Sequence, residues 1–449
     1  MTVNSTPDMQ QFVRQQTDAM RSLWYASADN AASLPAHVNL ERKIANEAAV
    51  SSLLEWAGNY LESGFLKESQ RREFSSEAVD RFKITLRQVF DLEKEEVECI
   101  ESLGVVDSAK EFYLRAHEFD PFMSFEEIYQ ASRNVWTSNY LQALMGLPVQ
   151  LTPALFAYSM LYPVSDNYLD DPYRSRQEKA AYNARFRSWL EGDRVKPQNS
   201  NERDVLDLVG MIEEQYPRWQ FPQVYQSLLA IHSAQDKSMR IAPMPLRPNT
   251  ADIVGLTFEK GGTSVLADGV LAAGQLTLEQ MQIIFNYGAF AQLMDDQEDI
   301  ENDLRDKVPT FYSEAAVIGK VDQVLNKVFN FAHEVLIGLD YFDNPAAKPL
   351  KRISMKGIDY LLIDEAMKHQ KYYSKSYLLE LERHFPFRFG YLQQVRRNLK
   401  KKRMTAERLT RLLLPEQGVS LPVENQRILI TDQKFTSAPK LASLIQGRP

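Results

Sequence analysis

Gln292-Leu-Met-Asp295-Asp296-Gln-Glu-Asp299-Ile-Glu-Asn-Asp303 follows directly on Ile283-Ile284-Phe285-Asn-Tyr287-Gly-Ala-Phe290-Ala. The leading segment is apolar nearly all round, the pattern of a buried helix. If that helix continues, Asp295, Asp299 and Asp303 recur every four residues and share one face. Carboxylates stacked on one face repel each other, and near a helix C-terminus the macrodipole adds to the repulsion. Something positive is therefore expected beside them. Magnesium suits the place, because it takes oxygen ligands, keeps several waters and is commonly shared between one or two carboxylates and the phosphates of a substrate.

A second acidic run, Asp166-Asn-Tyr-Leu-Asp170-Asp171, also ends a mostly apolar stretch and also carries Asp-x-x-x-Asp. Either run alone reads as a solvated helix face or a helix end. Two such runs behind apolar helices are harder to explain as surface, so Asp166, Asp170, Asp171, Asp295, Asp296 and Asp299 are the candidate metal ligands.

An acidic pocket that holds an anion through metal also needs donors. Between the two runs lies Phe258-Glu259-Lys260-Gly261-Gly262-Thr263-Ser264-Val265-Leu266-Ala267-Asp268-Gly269. The paired glycines allow either a helix break, which would free N–H groups toward an anion, or a close approach of backbones. Lys260 supplies a point charge beside them, and Thr263 and Ser264 supply hydroxyls. Lys260 is thus the candidate catalytic cation and diphosphate ligand. Arg240 and Lys371 are further diphosphate candidates, with a surface location as the default for both. Arg174 and Arg176 follow the first run closely enough to neutralise it instead. Tyr158, Tyr162, Tyr168, Phe285, Tyr287 and Phe290 flank the two runs; such rings stabilise a carbocation in a dry cavity, though most read as ordinary core.

The chain has 449 residues, 44% of them hydrophobic and 25% charged, with a formal net charge of −8. That balance argues against nucleic-acid binding through a general positive field. Cys99 is the only cysteine, which excludes an intrachain disulfide and a cysteine-rich metal site and fits a reducing, cytoplasmic setting. Six histidines without His-x-x-x-His spacing make a zinc site unexpected. Residues 1–15 lack a charged segment followed by an apolar core, so no secretory signal is expected. No run of about 18 apolar residues would span a membrane. The basic stretch Arg396-Arg397-Asn-Leu-Lys400-Lys401-Lys402-Arg403 offers peripheral contact with an anionic surface, or simply a solvated helix face.

Glycine is sparse, and breakers concentrate at 191–201, 241–249 and 342–349, leaving segments of helix length between them. Phe82, Leu86, Val89 and Phe90 recur at helical spacing within 76–100, and Val205, Leu208, Val209 and Ile212 do so later. One strand is expected, Arg427 to Thr431. The fold class expected is all-α, a single large helical bundle, with an N-terminal helical portion over 1–150, a core carrying both acidic runs over 151–403 and an extension over 404–449.

With these residues in view, D-N-Y-L-D-D and Q-L-M-D-D-Q-E-D-I-E-N-D resemble the two metal motifs of the class I isoprenoid (terpenoid) synthases, over roughly 151–373. K-G-G-T-S-V-L-A-D-G followed by D-D-Q-E-D is most similar to the bacterial large-terpene (tetraprenyl-β-curcumene) synthases. The resemblance implies a bundle around a central cavity, three Mg2+ ions held by the six aspartates, a prenyl diphosphate substrate contacted near Lys260, and a homodimer as an allowed assembly. It implies a terpene synthase that ionises the diphosphate and converts the carbocation to product. The first motif lacks the Arg-Arg pair of chain-elongating prenyltransferases, and the second lacks the Asn/Asp, Ser/Thr, Glu triad of common microbial cyclases. A head-to-head condensing enzyme, as in squalene and phytoene synthases, and a non-catalytic helical binding partner are the alternatives.

Overall fold

The computed structural model describes residues 8–30, 32–62, 68–171, 173–241 and 252–401. These residues form α-helices and two short 3-10 turns, and no strand occurs among them. The first half comprises α1 (Met9–Ala26), α2 (Leu40–Glu62), α3 (Glu68–Phe90), α4 (Lys94–Ser102), α5 (Val105–Phe119), α6 (Phe125–Leu144), α7 (Pro153–Asp170), α8 (Arg176–Glu191) and α9 (Ser200–Gln215). The second comprises α10 (Pro222–Ile241), α11 (Ile253–Ala273), α12 (Leu278–Glu298), α13 (Ile300–Asp306), α14 (Phe311–Ile318), α15 (Val321–Ile337), α16 (Ala347–Lys368), α17 (Lys375–Arg383) and α18 (Phe389–Lys401). The all-α expectation holds. The expected strand at Arg427 to Thr431, the breaker at 242–249 and the extension over 404–449 lie outside the described residues.

Two helices organise the bundle. α11 is buried along most of its length, from Ile253 to Leu271, and α12 from Met281 to Gln297, as the all-round apolar pattern predicts. They lie against each other more extensively than any other pair, while α1, α6, α7 and α10 pack around α11 and α15 and α16 around α12. The paired glycines act here through close approach and not through a break, because α11 runs without interruption through Gly261 and Gly262. A Cβ on Gly261 would meet the Gly288 carbonyl oxygen and sit 2.6 Å from the Gln292 Cβ; a Cβ on Gly262 would sit 2.5 Å from the Phe285 ring. Gly288 faces the same restriction from α11. No N–H group is freed for an anion, and Thr263 donates its hydroxyl to the Glu259 carbonyl one turn back at 2.7 Å.

α1 closes over this pair with Phe12, Met20 and Trp24 buried. Phe12 meets Phe285 edge-on at 6.0 Å, and Gln16 donates to Asn286 at 2.6 Å. One apolar core extends from Met9 to Phe387. The helical pattern expected across 76–100 is interrupted: Asp91 takes a left-handed conformation (φ 53°), and Glu93 opens α4 through a reciprocal capping box with Glu96. Val205, Leu208, Val209 and Ile212 form the buried stripe of α9 as expected. No helix of the described residues is long and apolar enough to cross a membrane. In α18, Arg396 is tied to Asp364 at 2.7 Å and Arg397 is exposed.

Gly288→Ala is expected to destabilise the protein by about 1–3 kcal/mol or more, because the added methyl meets backbone that cannot swing aside. Gly210, on α9, has open space where its Cβ would be, so Gly210→Ala is expected to stabilise by roughly 0.5–1 kcal/mol. Urea unfolding midpoints of the two variants would separate a packing requirement from a general dislike of substituting helical glycine.

Candidate metal centre

Thr277 starts α12 by accepting from the Gln280 N–H at 3.2 Å, and the helix runs unbroken to Glu298. Asp299 is the joint (φ −90°, ψ 6°), after which α13 continues the chain. The kink does not scatter the carboxylates. Asp295, Asp296, Asp299 and Asp303 line one cleft of about 110 Å³, closed by Ser238 of α10, by Ile253, Leu256, Thr257 and Lys260 of α11, and by Val308, Pro309 and Thr310. The cleft is small beside the roughly 300–1,000 Å³ of ordinary small-molecule sites.

Gln292, one turn before the carboxylates, clasps two of them, its Nε2 donating to Asp295 Oδ2 at 3.1 Å and to Asp296 Oδ1 at 3.0 Å. Among the described residues, nothing donates to the buried Asp296 Oδ2 or Gln292 Oε1. Asp303 accepts from the Thr310 hydroxyl at 3.1 Å, and Asp299 from Asn302 at 3.1 Å. Burial and mutual repulsion push these acids up. Asp296 rises to about 7, through desolvation and the charges of Asp295 and Asp299, against the Gln292 hydrogen bond and Lys260. Asp303 rises to about 8 through desolvation and the charges of Asp296 and Asp299. Asp299 is raised by desolvation and by Asp295. A hard divalent cation would relieve this set: four carboxylates converge, and one buried oxygen has no donor.

Lys260 lines the cleft from α11, half-buried, and no ion pair engages it among the described residues. Its position follows from Gly261, since the close contact there brings the preceding residue opposite Gln292 and Asp296. Lys371 is not brought to the cleft. It is exposed and bonds Glu301 at 2.8 Å, so it braces α13 from outside. For Arg240 only the backbone, in the last turn of α10, is described.

The first acidic run ends α7 and does not line the cleft. Asp166 is half-buried, and Asp171 is held by Arg174 at 3.2 Å and by the Tyr173 N–H at 2.9 Å. Arg174, which also lies 3.8 Å over the Tyr168 ring, pairs with Asp171 of this run, in line with the expectation that it neutralises the run and not the substrate. Of Asp170 only the backbone is described. Tyr162, one turn before Asp166, relates the two runs: burial raises its phenol, and Asp166, Asp295 and Asp299 add to the rise while Arg133 opposes it. Tyr158, Tyr168, Tyr287, Phe285 and Phe290 are core residues.

Arg133 of α6 is the residue the sequence reading missed. Its side chain is only 23% exposed and lies 4.0 Å from Glu298. Burial disfavours its charge, but Glu298 and Asp295 outweigh that and hold it cationic. It sits in no motif; the available signal is a cation between Ser132 and Asn134, which are both buried.

No protein-family model matches the chain, and no curated protein matches it.

Asp296 and Asp303 titrate near 7 and 8 in the fold, against about 3.9 for an unfolded aspartate. Between those limits the folded protein binds more protons than the unfolded chain, so these groups lower stability as pH rises. A Mg2+ ion bound at these carboxylates would need them ionised, so added Mg2+ would be expected to raise Tm more at about pH 8.5 than at about pH 6. Asp296→Asn should raise the Tm of the metal-free protein at the higher pH and remove most of the Mg2+ response. Thermal melts at the two pH values, with and without Mg2+, would check both.

Proposed function

We propose that this protein is a Mg2+-dependent class I terpene synthase, which releases diphosphate from a prenyl diphosphate and converts the resulting allylic cation to a terpene. One observation carries the reading: four carboxylates converge on a cleft in which, among the described residues, Asp296 Oδ2 has no donor, and the half-buried Lys260 lines the same cleft without an ion pair of its own. A site of that charge and polarity suits a divalent cation together with an anionic oxygen group. Asp295, Asp296, Asp299 and Asp303 would hold the metal, with Asp166 as the contributor from α7. When bound, Mg2+ would supply Lewis-acid stabilisation of the departing diphosphate oxygens.

The chain's own residues would share the work. Lys260 would donate to a diphosphate oxygen from the helix facing the carboxylates, and a cation held by packing needs little reorganisation as charge develops. Arg133, kept protonated by Glu298 and Asp295, would be the second fixed cation at the same end of the bundle. Gln292 would orient Asp295 and Asp296 through its amide. The cleft matches the head of such a substrate and not its tail. The reading therefore requires the proposed central cavity to open beyond Leu256 and Ile253 when the hydrocarbon binds, and substrate binding energy is available for that rearrangement.

Diphosphate release from geranyl, farnesyl, geranylgeranyl and geranylfarnesyl diphosphates, with and without Mg2+, tests the proposal, with extraction of the organic phase. Mg2+-dependent release from one substrate is expected, abolished in Asp295→Ala/Asp299→Ala and lowered about 10²-fold or more in Lys260→Ala. Lys371→Ala should stay near wild type. Release only when two allylic substrates are supplied together would point to a condensing enzyme, and release from none of them would overturn the enzymatic reading.

A further inference from the structure

The connector between α1 and α2 meets α17 at a place that no motif in the chain marks. His37, Glu380 and His384 each present a ligand atom there, and the three atoms lie within 4.8 Å of one another. Glu380 lies on α17, His384 caps that helix one turn later, and His37 comes from the connector. Glu380 Oε1 is 3.3 Å from His384 Nε2 and 3.9 Å from His37 Nε2. Two ligands about 2.05 Å from a tetrahedral zinc ion are roughly 3.3 Å apart, so these separations are already close to a coordination sphere.

The hydrogen bonding around the cluster points the same way. His384 Nδ1 lies 2.5 Å from the Pro35 carbonyl oxygen. A carbonyl only accepts, so Nδ1 carries the proton and donates. His384 Nε2 faces Glu380 Oε1 at 3.3 Å, a contact that either a shared proton or a metal ion between the two atoms satisfies. A backbone carbonyl fixing one ring nitrogen while the other faces a shared centre is the usual support of a metal-ligating histidine. Arg383 holds the other oxygen of Glu380 at 2.8 Å, leaving Oε1 as a single donor atom. The Val38 N–H donates to the Arg383 carbonyl at 2.8 Å, which keeps the connector beside the helix.

We propose that His37, Glu380 and His384 form a binding site for a borderline divalent transition ion of the zinc class, separate from the carboxylate cleft. Two imidazoles and one carboxylate select such an ion over Mg2+, which prefers oxygen donors throughout. The site is open, with His37 64% exposed and His384 10% exposed, so water completes the sphere. Its position favours a structural task. Next to the site, α2 is already joined to the end of α17 and the α17–α18 turn through Lys43 to the Glu382 carbonyl, Asn46 to the Pro386 carbonyl and Arg388 to Glu47. A bound ion would staple the N-terminal connector to the C-terminal helices and leave the diphosphate chemistry untouched.

Calorimetric titration of Zn2+ into the full chain, in excess Mg2+ so that the carboxylate cleft is occupied, tests the assignment, with Co2+ as a spectroscopic stand-in. One-to-one binding is expected, with a tetrahedral Co2+ spectrum and a higher Tm. His37→Ala and Glu380→Gln should each weaken binding roughly tenfold or more, while His37→Cys should restore it through a thiolate ligand. His37 is exposed, so its replacement leaves the fold intact even if His384→Ala does not. Absence of Zn2+ binding by the wild type, or equal binding by wild type and His37→Ala, would overturn the proposal.

Discussion

The contact between α11 and α12 at Gly261 and Gly288 sets the distance on which the rest of the bundle depends. Neither position accommodates a Cβ, because each faces the backbone of the other helix. The approach that results seats Phe285 against Gly262 and brings Lys260 opposite Gln292 and Asp296. A wider separation would carry Lys260 away from the carboxylates and loosen the α1 cover built on Phe12 and Trp24. One steric requirement thus serves the stability of the bundle and the composition of the cleft.

The carboxylates then impose an electrostatic demand that the fold only partly meets. Gln292 donates twice, Thr310 and Asn302 once each, and Arg133 and Lys260 contribute positive charge from facing helices. Even so, Asp296 and Asp303 stay well above the usual carboxylate range. A purely structural cluster would be expected to gain a donor for every buried oxygen, since an unsatisfied buried acceptor costs about 1–3 kcal/mol. Two buried glutamates are matched in this way: Glu202 is paired with Arg185 and bonded by the Gln198 N–H, and Glu96 is paired with Arg352. The cleft leaves Asp296 Oδ2 without a donor among the described residues, and the proposed Mg2+ site rests on that feature.

The two acidic runs differ in how they are held. The second is carried on a buried helix and converges; the first ends α7 beside Arg174, which satisfies Asp171 locally. Tyr162 feels both runs, so they share one end of the bundle, but only the second builds the cleft. The equal weight that Asp-x-x-x-Asp gives them in the sequence is not kept in the structure.

Periodicity along the chain is enough to specify the helical class, the burial of α12 and the shared side of Asp295, Asp299 and Asp303, because it reports which residues lie on one face of a helix. The sequence also singles out Lys260 and the glycines beside it. Tertiary structure decided how those glycines are used, which cation reaches the carboxylates and which is spent on Glu301, and that Arg133 from a distant helix joins them. It alone brought His37 to Glu380 and His384, which are separated by more than three hundred residues of chain. Periodicity fixes a face but says nothing of which face it will meet. Partners for a buried charge are chosen by helix packing, through contacts remote in sequence that leave no local pattern.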